Sequence, residues 1–142
     1  MKLLMEDLDT SLTQKFKATK NGDIYAIRPH IYVAGNPAGS LYVSLLDVNQ
    51  KTIATSAAVT IASITSAAYF HGYVRFLVSA QVKKDQYYYV KLHSSGYTLG
   101  ASFVALCKDF DLQKYDRATA QAWESAYDIE FWGYKNTTKG FY

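Results

Sequence analysis

The sequence predicts an all-β protein: a single two-layer antiparallel β-sandwich of the jelly-roll type, with about eight strands. Segments in which apolar and polar residues alternate recur along the chain, and clusters of turn residues separate them, which is typical of sandwiches and barrels. Hydrophobic residues make up 49% of the chain and charged residues 19%, so enough apolar surface is available for a core. A chain of 142 residues fits one such core.

The first two strands are predicted on either side of a turn. One strand covers 12–18, and the Asn21-Gly22 pair that follows favours a tight hairpin because both residues tolerate positive φ. The second strand, 23–33, has an inward face made of Tyr25, Ile27, Pro29, Ile31 and Val33. Since Pro29 cannot donate to a ladder, this strand is expected to be an edge strand or to be bulged there.

The middle of the chain continues the alternation. A loop over 35–39 is followed by an inward face of Leu41, Val43 and Leu45 and by a turn at 47–50. Ile53 and Val59 extend the inward pattern. Residues 60–68 are small and weakly patterned, so we expect a crossover with at most one helical turn.

The later strands are predicted from the same alternation. Segment 69–78 presents Phe70, Val74, Phe76 and Val78 inward and Tyr69, His71, Tyr73 and Arg75 outward. Segment 87–92 presents Tyr88, Val90 and Leu92 inward and Tyr87, Tyr89 and Lys91 outward. Further strands are expected over 98–106 and over 127–134, the latter burying Tyr127, Ile129 and Phe131. Segment 116–125 fits a helix or an extended loop equally well.

The domain organisation expected from this pattern is an N-terminal arm (1–11), the β-sandwich domain (12–134) and a C-terminal tail (135–142). The opening residues turn acidic too soon for the apolar region of a signal peptide. No window approaches the roughly 18 apolar residues of a membrane span. We therefore expect a protein that folds in a cytoplasm without a membrane partner.

The charge and the cysteine content exclude several classes of protein. The net charge is +3 and the lysines and arginines are scattered, so solubilising surface charge is expected and direct nucleic-acid binding is not. The single cysteine, Cys107, excludes an internal disulfide. It follows an apolar run, which indicates a small buried residue and not a nucleophile.

Residues with catalytic or metal-binding chemistry form no recognisable motif. His30, His71 and His93 lie on outward faces or at a strand end, without the spacing of paired metal ligands, so we expect no metal and no cofactor. Acidic residues late in the chain (Glu124, Asp128 and Glu130) fall where solvated carboxylates are expected. No nucleophile elbow or phosphate-binding loop is present. The protein is therefore expected not to be an enzyme.

The strongest functional signal is a set of outward aromatic and basic residues. These candidate binding residues are Tyr32, Tyr42, Tyr73, Arg75, Tyr87, Tyr89 and Lys91. Tyrosine and arginine are enriched at protein interfaces because they offer large contact areas. Cross-strand aromatic pairs also stabilise a sheet without any partner, by about 0.2–1 kcal/mol each. A platform on which sugars stack is the third interpretation of the same residues.

Several segments together carry a resemblance to a known type of module. They are 14–18 (QKFKA), 31–33 (IYV) with 35–45 (GNPAGSLYVSL), 53–56 (IATS), 73–76 (YVRF), 88–92 (YYVKL) with 95–97 (SGY), and 128–134 (DIEFWGY). In this order they resemble the jelly-roll β-sandwich modules of phage virion proteins and bacterial surface proteins, which have a carbohydrate-binding-like fold. The resemblance covers residues 12–134.

The resemblance implies a function in adhesion, attachment or assembly. For a lone module without a secretion signal, it implies a small virion structural protein assembled in the host cytoplasm, such as a capsid decoration protein or a head or tail accessory protein. Its expected partners are capsid, portal or tail proteins and further copies of itself. The alternative is a carbohydrate-binding adhesion module that recognises host surface glycans.

Overall fold

The computed structural model describes residues 5–18, 21–65, 68–107 and 129–134, and of residues 130–134 it describes the backbone. The elements are β1 (Met5–Asp7), β2 (Ser11–Lys17), β3 (Gly22–Ala34), β4 (Ser40–Asp47), β5 (Thr52–Thr55), β6 (Val59–Thr60), α1 (Ile61–Ile64), β7 (Tyr69–Tyr73), β8 (Phe76–Val82), β9 (Tyr87–Ser95), β10 (Phe103–Cys107) and β11 (Ile129–Tyr134). The predicted all-β antiparallel sandwich is confirmed, with eleven strands in these residues where about eight were expected.

The strands form two antiparallel sheets. The six-stranded sheet contains β1, β10, β3 and β11 in that order, and both β7 and β8 pair with β3. The five-stranded sheet has the order β2-β9-β4-β5, and β6 also pairs with β4. None of the helices among the described residues has the length and hydropathy that a membrane span requires.

Alternating side chains from both sheets form one core. The strand β8 shows the pattern most clearly, with every second residue from Phe76 to Val82 buried. The largest fully buried side chains are Phe16 of β2 and Phe76 of β8. A buried ring of this size contributes about 1.5–3 kcal/mol through loss of its water-accessible area. The predicted inward faces of β4, β8 and β9 are confirmed, and so is the burial of Cys107.

The predicted hairpin at Asn21-Gly22 is wrong. The strand β2 pairs with β9 of the five-stranded sheet, whereas β3 belongs to the other sheet, so the chain crosses between layers here. Neither Asn21 nor Gly22 has a positive φ. The side chain of Asn21 instead accepts a hydrogen bond from the backbone N–H of Lys84 at 2.8 Å. Asn21 and Gly22 therefore lie in the connection between the two sheets and not in a hairpin, because β2 pairs with β9, which lies far along the chain.

The strand β3 is central and not an edge. Its two halves have different neighbours: β8 and β11 pair with the first half, and β7 and β10 pair with the second. Pro29 lies where these neighbours change, so its missing N–H interrupts no continuous ladder. Its carbonyl accepts a hydrogen bond from Val74, which lies in the break between β7 and β8, at 3.1 Å.

Two residues predicted to face inward do not, and both lie at irregularities of register. The pairing of β3 with β8 shifts between Ile24 and Ala26, so Ile24 is fully buried and Tyr25 is half-buried. The pairing of β4 with β5 skips Ile53, whose side chain is 42% exposed. An extra residue at a bulge reverses which side chains face the core, and strict alternation cannot anticipate this.

Other boundaries also differ from the expectations. Within the expected N-terminal arm, Met5–Asp7 forms β1 and Leu8 is fully buried, so these residues are part of the sandwich. The strand expected over 98–106 begins only at Phe103, and the single helical turn within 60–68 is confirmed as α1. Ile129 is buried as predicted. Segment 116–125, Tyr127 and the side chain of Phe131 lie outside the described residues.

Candidate functional site

The seven predicted site residues do not form one surface. Four lie on the outer face of the five-stranded sheet, namely Tyr42, Tyr87, Tyr89 and Lys91. Tyr32 and Tyr73 lie on the outer face of the six-stranded sheet, on the opposite side of the sandwich. Arg75 is exposed in the break between β7 and β8. The prediction of a single tyrosine-rich face is therefore replaced by two aromatic faces with different chemistry.

The first of these, which we call the lysine–tyrosine face, covers β2, β9 and β4. It consists of Lys15, Lys17, Tyr42, Tyr87, Tyr89, Lys91 and His93. Antiparallel register places Lys15 opposite Tyr89 and Lys17 opposite Tyr87. The Lys15 Nζ lies 4.7 Å from the Tyr87 ring centroid and 5.9 Å from that of Tyr89, and the Lys17 Nζ lies 5.8 Å from the Tyr87 ring. Such cation–π contacts hold the ammonium groups beside the rings.

The other half of the lysine–tyrosine face is polar and hydrogen-bonded. The Tyr42 ring stacks on His93, with centroids 5.3 Å apart and planes inclined by 17°. The Ser44 hydroxyl lies 2.9 Å from the His93 Nε2 and 2.8 Å from the Thr55 hydroxyl. Burial, followed by the charge of Lys91, lowers the pKa of His93 below its ordinary value of 6.5. His93 is therefore a neutral, fixed hydrogen-bonding group at neutral pH.

The lysine–tyrosine face has a single sign of charge. The outward positions of β2, β9 and β4 contain three lysines and no acidic residue. Asp47, at the end of β4, is engaged in the following turn, where its Oδ1 accepts hydrogen bonds from Asn49 N and Lys51 N at 2.9 Å each. Clustered charge of one sign attracts a complementary surface. The scattered lysines of the sequence are brought together here by strand register.

The second face, which we call the tyrosine–histidine face, covers β3, β7 and β10. The His30 ring lies between those of His71 and Tyr73, with centroid distances of 4.6 and 4.8 Å. The Arg28 guanidinium lies 5.3 Å from the centroid of the Tyr73 ring. Tyr32 contacts the rings of Tyr69, His71 and Phe103 at centroid distances of 5.5, 6.2 and 6.0 Å. These stacked, edge-on and tilted contacts link the rings into one aromatic cluster across three strands.

Cys107 lies in the same neighbourhood. One ligand atom from each of His30, His71 and Cys107 lies within 4.8 Å of the other two. Burial, and then the charge of His30, lowers the pKa of His71. The sequence pattern placed His30 and His71 on outward faces but could not show that β3, β7 and β10 are neighbours, so this convergence was missed.

A surface cleft of about 440 Å³ lies between the start of β3 and the end of β8, and the carboxylate in its lining is that of Asp23. Glycoside hydrolysis generally uses a pair of carboxylates across the bond. Glu124, Asp128 and the side chain of Glu130 lie outside the described residues.

No protein-family model matches the chain, and no curated protein matches it either.

Proposed function

We propose that this protein is a non-enzymatic virion structural protein, such as a capsid decoration or a head or tail accessory protein, which docks onto an acidic surface of another virion protein. The observation that carries the proposal is the lysine–tyrosine face, with three lysines beside exposed and half-buried tyrosine rings and no acidic residue among its outward positions. The resemblance to phage sandwich modules supplies the setting.

A protein partner suits the geometry of this face. Tyrosine gives a large contact area at small entropic cost, and the ring of Tyr87 is 37% exposed. The lysines that lie over the rings of Tyr87 and Tyr89 are held near the sheet and present their charge outward. An acidic partner would replace water around these ammonium groups with carboxylates, while the rings would lose apolar surface to the contact.

Glycan binding is the second candidate. One observation favours it: the Tyr42 ring stacks on His93, whose Nε2 lies 2.9 Å from the Ser44 hydroxyl, so the face combines an aromatic ring with hydrogen-bonding groups, which suits sugar recognition. The lysines over Tyr87 and Tyr89 disfavour it, because they occupy ring surface on which a sugar would stack. Binding to a glycan array that is lost in Tyr42→Ala would replace the assembly proposal with glycan recognition.

The proposal is tested by particle association of the full chain. The double variant Lys15→Glu/Lys17→Glu reverses two charges on the face, and Lys51→Glu/Arg75→Glu makes the same change in net charge at two exposed residues that are not part of it. We expect the chain to co-sediment with purified particles in multiple copies. The first variant should reduce the affinity for particles at least about tenfold, a loss of about 1.4 kcal/mol, while the matched control retains the wild-type affinity.

Three other results would contradict the proposal. The first is a chain that stays in the free fraction at low salt, where electrostatic attraction is least screened. The second is a loss of binding to DNA, and not to particles, in Lys15→Glu/Lys17→Glu, which would assign the face to nucleic acid. The third is an equal loss of particle binding in both double variants, which would show that net charge, and not this face, governs association.

A further inference from the structure

Strand register brings three metal-ligating side chains onto one patch of the six-stranded sheet. The pairing of β10 with β3 runs from Phe103 to Leu106, with Leu106 opposite Ile31, and one step further along this register Cys107 lies beside His30. The pairing of β7 with β3 places His71 opposite Tyr32, two residues from His30 on the same outer face. The three side chains therefore come from three adjacent strands.

We propose that His30, His71 and Cys107 bind a divalent transition-metal ion of the zinc class. Their nearest ligand atoms lie within 4.8 Å of one another. With Zn–N bonds of about 2.0–2.1 Å and a Zn–S bond of about 2.3 Å, tetrahedral ligands are separated by roughly 3.4–3.6 Å. Side-chain rotations that shorten the longest of these separations by up to about 1.4 Å would complete the site.

The donor set determines the class of ion. Two imidazole nitrogens and one thiolate suit zinc, cobalt and related borderline ions, whereas magnesium and calcium prefer oxygen ligands. Cys107 is fully buried, and a bound ion would hold its sulfur as a thiolate despite that burial. Binding then forms two metal–nitrogen bonds and one metal–sulfur bond, and it releases the thiol proton to solvent.

The two histidine rings must rearrange before an ion can bind. The rings of His30 and His71 are stacked, with planes inclined by 20°, and imidazole lone pairs lie in the ring planes, so one ring has to turn out of the stack for both nitrogens to reach one ion. His71 is exposed, so an ion can approach from solvent on its side while Cys107 forms the buried floor. Three protein ligands leave the fourth tetrahedral position to a water molecule. The site lies on the opposite sheet from the lysine–tyrosine face, so it does not depend on the proposed function.

The test is a Co²⁺ titration of the full chain, kept reduced with a phosphine and freed of metal with a chelator. We expect one equivalent of Co²⁺ to produce a thiolate-to-cobalt charge-transfer band together with intense visible bands of tetrahedral cobalt, and Zn²⁺ to abolish both. His71→Gln should weaken binding more than about tenfold, since loss even of an outer-shell partner costs 10–100-fold. Cys107→Ala should remove the charge-transfer band.

The matched control is His93→Gln, which changes a half-buried histidine on the other outer face and should leave the titration unaltered. Because His71 is exposed, its variant should fold even where Cys107→Ala does not. Absence of the charge-transfer band in the wild-type chain would overturn the proposal. So would a band that keeps its affinity in His71→Gln, or one that His93→Gln weakens equally.

Discussion

The clearest stability prediction concerns the hydroxyl of Tyr97, which joins the segment after β1 to β10. This hydroxyl donates to the carbonyl of Leu8 at 3.1 Å and accepts from the backbone N–H of Val104 at 2.9 Å. It thereby continues the β1–β10 ladder beyond the hydrogen bond from Leu8 N to Val104 O at 2.8 Å. Burial raises the pKa of Tyr97 above its ordinary value of 10.0, so the hydroxyl stays protonated at neutral pH.

The substitution Tyr97→Phe keeps the ring and removes only this bridge. Each hydrogen bond contributes a net of about 0.5–1.5 kcal/mol, so the loss of two should lower the free energy of unfolding by about 1–3 kcal/mol. The upper part of that range applies because Leu8 and Val104 are both fully buried and would each keep an unpaired backbone group. The packing of the ring is the same in the wild type and in Tyr97→Phe, so it does not contribute to the difference in the free energy of unfolding.

Urea unfolding of the full chain measures this difference. The midpoint should fall without a change in the denaturant slope, since the surface exposed on unfolding is the same. Tyr69→Phe is the matched control: its ring is 50% exposed, and loss of its hydroxyl should change stability by less than about 0.5 kcal/mol. Equal stability of Tyr97→Phe and wild type would refute the argument that this hydroxyl fastens the N-terminal segment to the sandwich.

Three further predictions address a hydrogen bond, a backbone conformation and a titration. Ser56→Ala should cost about 1–3 kcal/mol, because the Ser56 hydroxyl accepts a 3.1 Å hydrogen bond from the buried N–H of Val43. Gly39→Ala should cost about 2 kcal/mol or more, since Gly39 has φ +106° and an added Cβ would lie 2.6 Å from the Ser95 carbonyl oxygen. The lowered pKa of His93 means that the unfolded chain binds more protons than the folded chain just below pH 6.5, so the free energy of unfolding should decrease as the pH is lowered through this range, and His93→Gln should reduce this slope.

Each of these predictions has a control. Ser63→Ala removes an exposed hydroxyl that donates to Thr60 O, and it should leave the melting temperature nearly unchanged. Gly100→Ala adds a Cβ with no atom within 4 Å, so a cost equal to that of Gly39→Ala would count against the steric argument. For the titration, unfolding free energies that decline identically in wild type and His93→Gln as the solution is acidified would assign the pH dependence to other groups.

The alternation of apolar residues was sufficient to predict β4, β8 and β9. In each of these strands one face is buried along its whole length, so the burial of Val43, Phe76 and Val90 follows from residue parity alone. The predicted inward orientation was wrong at Tyr25 and Ile53, where the strand register shifts. A bulge depends on the neighbouring strand, and the sequence of one strand does not reveal which neighbour it has.

The predicted hairpin at Asn21-Gly22 was wrong for a related reason. A turn preference is local, whereas the choice of partner for β2 is made by the whole sheet, and that partner, β9, begins at Tyr87. The same limit applies to the candidate sites. Parity correctly placed Tyr87 and His71 outward, but only strand order shows that they lie on opposite sheets and that His71 meets Cys107.

The central claim is that the lysine–tyrosine face is the surface by which this protein joins a virion. A cryo-electron microscopy map of particles that contain the chain tests this claim most directly. We expect copies at symmetry-related positions, with β2 and β9 turned towards a neighbouring protein and carboxylates of that neighbour beside Lys15 and Lys17. Particles that lack the chain, or copies whose contact is made by the tyrosine–histidine face while Lys15 and Lys17 face solvent, would contradict it.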